Sequence, residues 1–466
     1  MIESKFKIKL TLYSFLLIYL ADLFILIWFY KFSYKSIDTS FIVTHSWILF
    51  ISNLLLLNYL FDLRNFLNPF IFFSINSFIF NFLGNCFSFQ VERYQNPVEL
   101  FFLGSVYMIF VVIGSLFFTF LNLDFVRNQK KIAIDNFYKL VKSINIKSVN
   151  VYKWLLIIGI GMIFFHFIFI VHSIPAFNKD AENFRVESKA GKGQFLGFGI
   201  NFCLLGIIYF VIRQIKTSTF FSLRTYITIL GVCLIIMLCG FRGSAFQVFV
   251  IFFIGLQLYL KRYIKYYLLL FGVLILFVII GVTAVLRWGE IGQDQLVDAD
   301  LNLYMLWTFS RSAAANTGID EVFRYLHTGG DFLYGYSYYL DTITLLPGNQ
   351  PNFGLWVKKL LQMDFDGGST MLGDYGIYYI NFGFIGVALL TILNTFILNG
   401  VYKLLIERSQ KSLLYFSTLV IFSFTFSGIG EIQSFLYYTM IMTFLNCLLF
   451  VRLKQPKNAH AEIIKT

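Results

Sequence analysis

Long apolar runs separated by short polar connections dominate the chain. About twelve of them approach the roughly 20 residues that cross a hydrocarbon core: 9–30, 41–61, 66–86, 98–122, 153–172, 194–213, 225–240, 244–260, 267–286, 374–402, 413–429 and 435–451. The seventh and eighth are short and are joined only by GFRG (240–243), which predicts a tight hairpin. An even number of spans puts both ends of the chain on one side of the bilayer. Two polar intervals stand out, a large one of about 288–373 and a smaller one of about 173–193. The pattern therefore predicts an all-α polytopic membrane protein, a single integral membrane domain over 1–466, whose two polar loops carry short amphipathic helices.

The large loop has a helical period of its own. Ile319, Val322, Phe323 and Leu326 recur at the spacing of one apolar face, and Asp320, Arg324 and His327 recur on the other. Thr317 is placed to cap this helix, with Asp320 at the third helical position. The pair Gly329–Gly330 is placed to end it. A second helix over 299–314, lying on the membrane surface, carries Arg311 near its end.

Composition narrows the class. Of 466 residues 58% are hydrophobic and 13% are charged, where a soluble domain carries about 25%. The first apolar run is long enough to span and is followed by no small-residue cleavage site, so a cleavable leader is not expected. The 5 cysteines form no CxxC pair, which supports neither a metal site nor a disulfide framework. The net charge of +12 is a topology signal once its distribution is read. With the N-terminus inside, the cytoplasmic segments hold most of the 37 Lys and Arg but few of the 25 Asp and Glu, as the positive-inside rule requires. Nucleic acid is not needed to explain the basic excess. The basic stretch 127–147 reads as an inside anchor near anionic headgroups. Both polar loops then face outward.

No GxGxxG, P-loop, GxSxG or HExxH occurs, and the 5 histidines lack metal-ligand spacing, so neither metal nor cofactor is expected. What remains is arginine on the outer face: Arg185, Arg242, Arg287, Arg311 and Arg324. A guanidinium stays charged and grips phosphate with two parallel bonds, which suits a lipid-linked phosphate or pyrophosphate. Each has a plainer alternative. Arg324 can pair with Asp320, Arg185 with Glu182 or Glu187, and Arg287 can snorkel to the interface. Asp22 lies mid-span, where a carboxyl is either functional or interhelical glue. Tyr334 and Tyr336 open the patch YGYSYYLD (334–341), which offers faces for sugars to stack on or forms an interfacial belt.

Four stretches together resemble the bacterial oligosaccharide repeat-unit polymerases that build O-antigen and capsule (the Wzy family). They are IPAFNKDAENFRVESKAGKGQ (174–194), the hairpin at GFRG (240–243), RYLHTGGDFLYGYSYYLDTITLLPG (324–348) and GGSTMLGDYGIYYINFGFIGVALL (367–390). The last is a Gly-rich approach into a span with an NFG-x-x-G core. The family's outer loops pair an arginine with a glycine after ten intervening residues. Arg324 and Gly335 keep that spacing, whereas Leu196 stands where the partner of Arg185 is expected and Gly197 comes one residue late. The resemblance implies a metal-independent membrane glycosyltransferase of the bacterial inner membrane, with cytoplasmic termini and an extracytoplasmic active face. Undecaprenyl-pyrophosphate-linked glycans would be both donor and acceptor, and a chain-length regulator protein is an implied partner. Arg185, Arg242, Arg311 and Arg324 would steady the departing pyrophosphate, and His327 or Asp374 would take the proton of the acceptor hydroxyl. An O-antigen ligase and a non-enzymatic flippase or transporter are the competing readings, and the absence of an internal repeat weighs against the latter.

Overall fold

The structure is a computed structural model that describes residues 2–32, 38–65, 67–71, 73–75, 77–78, 95–143, 149–174, 194–239, 242–267, 314–343, 353–363 and 372–408. Among these residues the regular structure is helical throughout, with no strand. In chain order the helices are α1 (Ile2–Phe32), α2 (Thr39–Phe61), α3 (Pro97–Leu121), α4 (Leu123–Ser143), α5 (Tyr152–Phe165, continued by a π-helical turn, His166–Ile170), α6 (Gln194–Thr217), α7 (Leu223–Leu238), α8 (Arg242–Leu260), α9 (Ala314–His327), α10 (Tyr336–Ile343), α11 (Phe353–Leu360) and α12 (Gly373–Arg408). Among the described residues six stretches are long and apolar enough to cross a membrane: Ile8–Phe32, Ser40–Phe61, Pro97–Leu121, Tyr152–Ile170, Phe195–Thr217 and Gly373–Leu404. Their ends fall close to those that the apolar runs predict. The runs at 267–286, 413–429 and 435–451 and the surface helix over 299–314 lie almost wholly outside the described residues, and 66–86 is described only in part.

The chain divides into two compact units. One comprises Met1–Asn128, Ile279–Val401 and Thr425–Tyr437, and the other Gln129–Val278, Tyr402–Phe424 and Tyr438–Thr466. In the first unit α3 is the centre: it is buried along nearly its whole length, and α1 and α2 pack against it. Helix α1 leaves Leu17, Phe24 and Trp28 exposed, as suits a helix whose solvent is lipid. Asp22 on α1 meets His45 on α2, with Oδ1 and Nε2 3.1 Å apart, and the Tyr19 hydroxyl donates to Asn53 Oδ1 at 2.6 Å. The mid-span carboxyl thus has an interhelical partner. Such bonds contribute about 0.6 kcal/mol each on average, so packing and not this pair decides the helix contact.

In the second unit α6 is the buried helix, packed by α5 on one side and by the α7–α8 hairpin on another. Glycine sets how close α5 and α6 come. A Cβ on Gly159 would stand 2.8 Å from the carbonyl oxygen of Gly199, so the two backbones meet with no side chain between them. Helices α7 and α8 pack against each other, as the hairpin predicted around GFRG requires, and α8 begins at Arg242. Helix α4 is amphipathic: Ile134, Phe137 and Val141 are buried at helical spacing, while Asp135, Lys139 and Lys142 are exposed. The basic stretch therefore lies on a helix that can rest along an interface.

One span departs from its expected form. Helix α12 is broken inside its apolar stretch at Gly383, whose φ of 64° and ψ of −157° are open only to glycine. In a regular helix the carbonyls of Ile380 and Asn381 would serve residues 384 and 385. Here they accept hydrogen bonds from the backbone N–H groups of Leu333 (2.9 Å) and Tyr334 (3.1 Å) in the polar segment after α9. Irregular backbone at membrane depth persists only where protein or a polar cavity covers it, and this segment is the cover.

Gly383→Ala is therefore expected to cost about 1–3 kcal/mol. The expected signs are a lower thermal midpoint of the detergent-solubilised protein and faster hydrogen exchange at the Leu333 and Tyr334 amides. Unchanged exchange at those two amides would contradict the account.

Candidate functional site

The site is assembled from α9, the segment that follows it, α10, α11 and the first turns of α3 and α12. Helix α9 buries Ile319, Val322 and Phe323, and the Phe323 ring lies 4.9 Å from that of Tyr379 on α12. It begins at Ala314, a turn earlier than a cap at Thr317 would give. Its stop is the predicted one. Gly329, at φ 94°, ends the helix with N–H bonds from Gly329 to Leu326 O (3.2 Å) and from Gly330 to Tyr325 O (3.0 Å).

Asp320 does not join the solvated face that its spacing predicts. It is buried, and its carboxylate accepts from the N–H of Gln95 (2.9 Å) and of Asn96 (2.8 Å) and from Asn96 Nδ2 (2.9 Å). Asn96 is the N-cap of α3, supplies no side-chain cap of its own, and precedes Pro97 in the first turn. A carboxylate from another helix thus fills the cap, where the helix dipole favours negative charge. It follows that Arg324 is not the partner of Asp320. Arg324 pairs with Glu321 through Nη2 at 2.5 Å and donates from the same nitrogen to Leu361 O at 3.2 Å, just past α11. Burial pushes the Glu321 carboxyl above its ordinary value, Arg324 pulls it back down, and the neighbouring Asp320 adds to the rise. His327 is exposed in the last turn of α9, its ring 6.4 Å from that of Phe323. A cation there also suits the negative end of the helix.

The segment after α9 is held by Asn381. This wholly buried amide accepts from Gly335 N–H at 2.9 Å and donates to Ser337 Oγ at 2.6 Å and to Ile377 O at 2.7 Å. Fixing Gly335 and Ser337 presents the tyrosines between and beyond them to solvent. Tyr334 is 75% exposed, Tyr336 45% and Tyr339 58%, so these rings form a surface and not a core. The Tyr336 ring lies 5.8 Å from that of Tyr339 and 5.5 Å edge-on from that of Trp356 in α11. Arg324 reaches the end of that same α11. At 1.5 Å per residue the five residues from Trp356 to Leu361 put the guanidinium contact and the aromatic contact about 8 Å apart along the helix axis.

Asp374, in the first turn of α12, is buried. It lies near enough to Tyr107 of α3 and Tyr378 of α12 to interact electrostatically with both. The Tyr107 hydroxyl is 3.2 Å from Ser77 Oγ, and the Tyr107 ring is 5.2 Å from that of Tyr375. Burial makes the charged form of a carboxyl costly unless polar neighbours offset it. Of the outer-face arginines that the sequence singles out, Arg185, Arg287 and Arg311 lie outside the described residues, as does the Arg242 side chain. Asn381 and Tyr107 are the site residues that pattern reading passed over, whereas Asp320 is one whose partner it misassigned. The NFG tripeptide was the available signal for the first, since Asn before a glycine-only break marks a place where backbone groups need a polar partner. No family model matches the chain, and no curated protein or solved structure matches it either.

Asp320→Asn keeps the shape and removes the charge. A hydrogen bond to a charged group contributes about 1.5–3 kcal/mol, so this variant is expected to unfold several degrees lower. Arg324→Gln breaks a surface pair and is expected to shift stability by less than about 1 kcal/mol. Thermal unfolding of the two variants side by side checks the ranking, and the reverse order would refute the assignment of Asp320 as the cap.

Proposed function

We propose that the chain polymerises undecaprenyl-pyrophosphate-linked oligosaccharide repeat units into O-antigen or capsular polysaccharide at the outer face of the bacterial inner membrane. In this reading about twelve helices of roughly 20 residues span the bilayer, both termini are cytoplasmic, and the α9–α11 region faces outward. The charge asymmetry of the connections supports that orientation. The observation that carries the reading is the shared footing of Arg324 and Tyr336 on α11, one at its end and the other at Trp356. A guanidinium and exposed aromatic rings that share one short helix as footing match a ligand with phosphate at one end and sugar at the other.

In the reaction the bond between the anomeric carbon and the pyrophosphate oxygen breaks, and the electron pair leaves with undecaprenyl pyrophosphate. The acceptor hydroxyl oxygen forms the new glycosidic bond, and its proton passes to a base. Pyrophosphate is a capable leaving group, so the demands on the protein are charge stabilisation and alignment. Arg324 is assigned the first task, through the Nε and Nη1 donors that its contacts to Glu321 and Leu361 do not use. Arg311, in the same unit, is assigned to the same charge. Tyr334 and Tyr336 align the glycan, and Asp374, which is buried, or His327, which is exposed, is assigned as the base. A chain-length regulator protein is the expected partner.

Arg324→Ala in the source cell is expected to collapse the surface-polysaccharide ladder to a single repeat unit while protein level stays normal. A wild-type ladder would remove Arg324 from the mechanism. If clean deletion of the gene leaves no repeat unit on the surface, the polymerase reading fails. Lipid-linked polymer then accumulating outside identifies a ligase, and single lipid-linked units trapped inside identify a flippase.

A further inference from the structure

Two guanidinium groups in the second unit converge on one phenol oxygen. Arg213 Nη1 donates to the Tyr152 hydroxyl at 3.0 Å and Arg224 Nη2 donates to it at 3.3 Å. The Arg213 guanidinium also stands 5.5 Å from the centre of the Tyr152 ring. Neither arginine has a carboxylate partner among the described residues. Two positive charges held this close repel each other, and a phenol oxygen neutralises neither. Arg224 is exposed and Arg213 half-buried, so the pair is open to an anion from outside.

The post that gathers them is rigid. Tyr152 is buried, and its ring packs 5.2 Å from that of Phe210 on α6. With both lone pairs of its oxygen engaged by the arginines, the hydroxyl retains its own proton to donate. Other cations stand nearby but are tied down. Lys216 donates to the carbonyls of Lys142 (2.6 Å) and Val141 (3.4 Å) at the end of α4, and Lys261 lies 4.1 Å from the centre of the Tyr138 ring.

The depth of the cluster identifies the kind of anion. Tyr152 opens the apolar stretch Tyr152–Ile170, Arg213 lies in the last turns of Phe195–Thr217, and Arg224 is the second residue of α7. All three therefore sit where apolar helix gives way to polar chain, the level of lipid phosphates. We infer that Arg213, Arg224 and Tyr152 form a phosphate-binding site that takes one phosphate group, three donors closing on its oxygens. This inference is independent of the polymerase reading and uses none of the residues assigned to it.

The test uses the full-length protein in a maltoside detergent, which carries no phosphate. Wild type is compared in the detergent alone, with added phosphatidylglycerol, and with inorganic phosphate, reading thermal midpoint and lipid retained in native mass spectrometry. Phosphatidylglycerol is expected to raise the midpoint and remain bound. Arg213→Gln with Arg224→Gln is expected to lower affinity at least tenfold, whereas Lys139→Gln with Lys153→Gln, an equal loss of charge at exposed lysines, leaves it within twofold. Should the double arginine variant not fold, Tyr152→Phe keeps the ring packed on Phe210 and removes the oxygen that gathers the guanidiniums, and a several-fold loss is expected. Stabilisation by inorganic phosphate alone, abolished by the arginine changes, supports the site with a soluble phosphate as its ligand. Equal losses in the arginine and lysine pairs, no response to either phosphate source, or wild-type binding by Tyr152→Phe overturns the inference.

Discussion

A backbone carbonyl inside an apolar helix has no water to turn to. Where the ladder of α12 is interrupted at Gly383, the carbonyls of Ile380 and Asn381 must find donors from the protein itself, and the N–H groups of Leu333 and Tyr334 are those donors. That requirement fixes the polar segment in place. It also explains why a buried asparagine stands at 381: one amide serves Gly335, Ser337 and Ile377 together, satisfying polar groups on both sides of the junction. The exposed tyrosines beyond it inherit their positions from this arrangement.

Two buried carboxylates in the same unit have different surroundings. Asp320 accepts backbone N–H bonds at the start of α3, and its charge is consumed by a helix terminus. Asp374 lies within electrostatic reach of two phenols, Tyr107 and Tyr378. Burial alone does not separate the two, since both are nearly inaccessible. The neighbours do: Asp320 faces fixed backbone N–H groups, whereas Asp374 faces the side chains of two helices.

Much of this was legible in the chain. Apolar run length located the spans, because length and composition alone decide whether a helix can cross hydrocarbon. The Gly329–Gly330 stop was legible because left-handed backbone at a helix end demands glycine. The start of α9 was misread, since Thr317 looks like a cap only if nothing upstream is helical. The assignment of Asp320 failed for a different reason. Helical spacing puts it on the face of Arg324, but a bond to residues more than two hundred positions away carries no local signal. The break in α12 left a trace in the NFG tripeptide, yet hydropathy averages over it, because one glycine does not alter the apolarity of its window.

The docking of the segment after α9 onto α12 also sets an order of assembly. Gly335 leaves the ribosome 46 residues before Asn381, the side chain that holds it. At about 5–20 residues per second, that is a delay on the order of 2–10 s. During that interval the N–H groups of Leu333, Tyr334 and Gly335 lack the acceptors on α12 that they have in the folded chain. Water must serve them until those partners have been made. The break at Gly383 thus acts as a checkpoint in biogenesis: the tyrosine-bearing surface acquires its shape only when the helix that carries the break is in place.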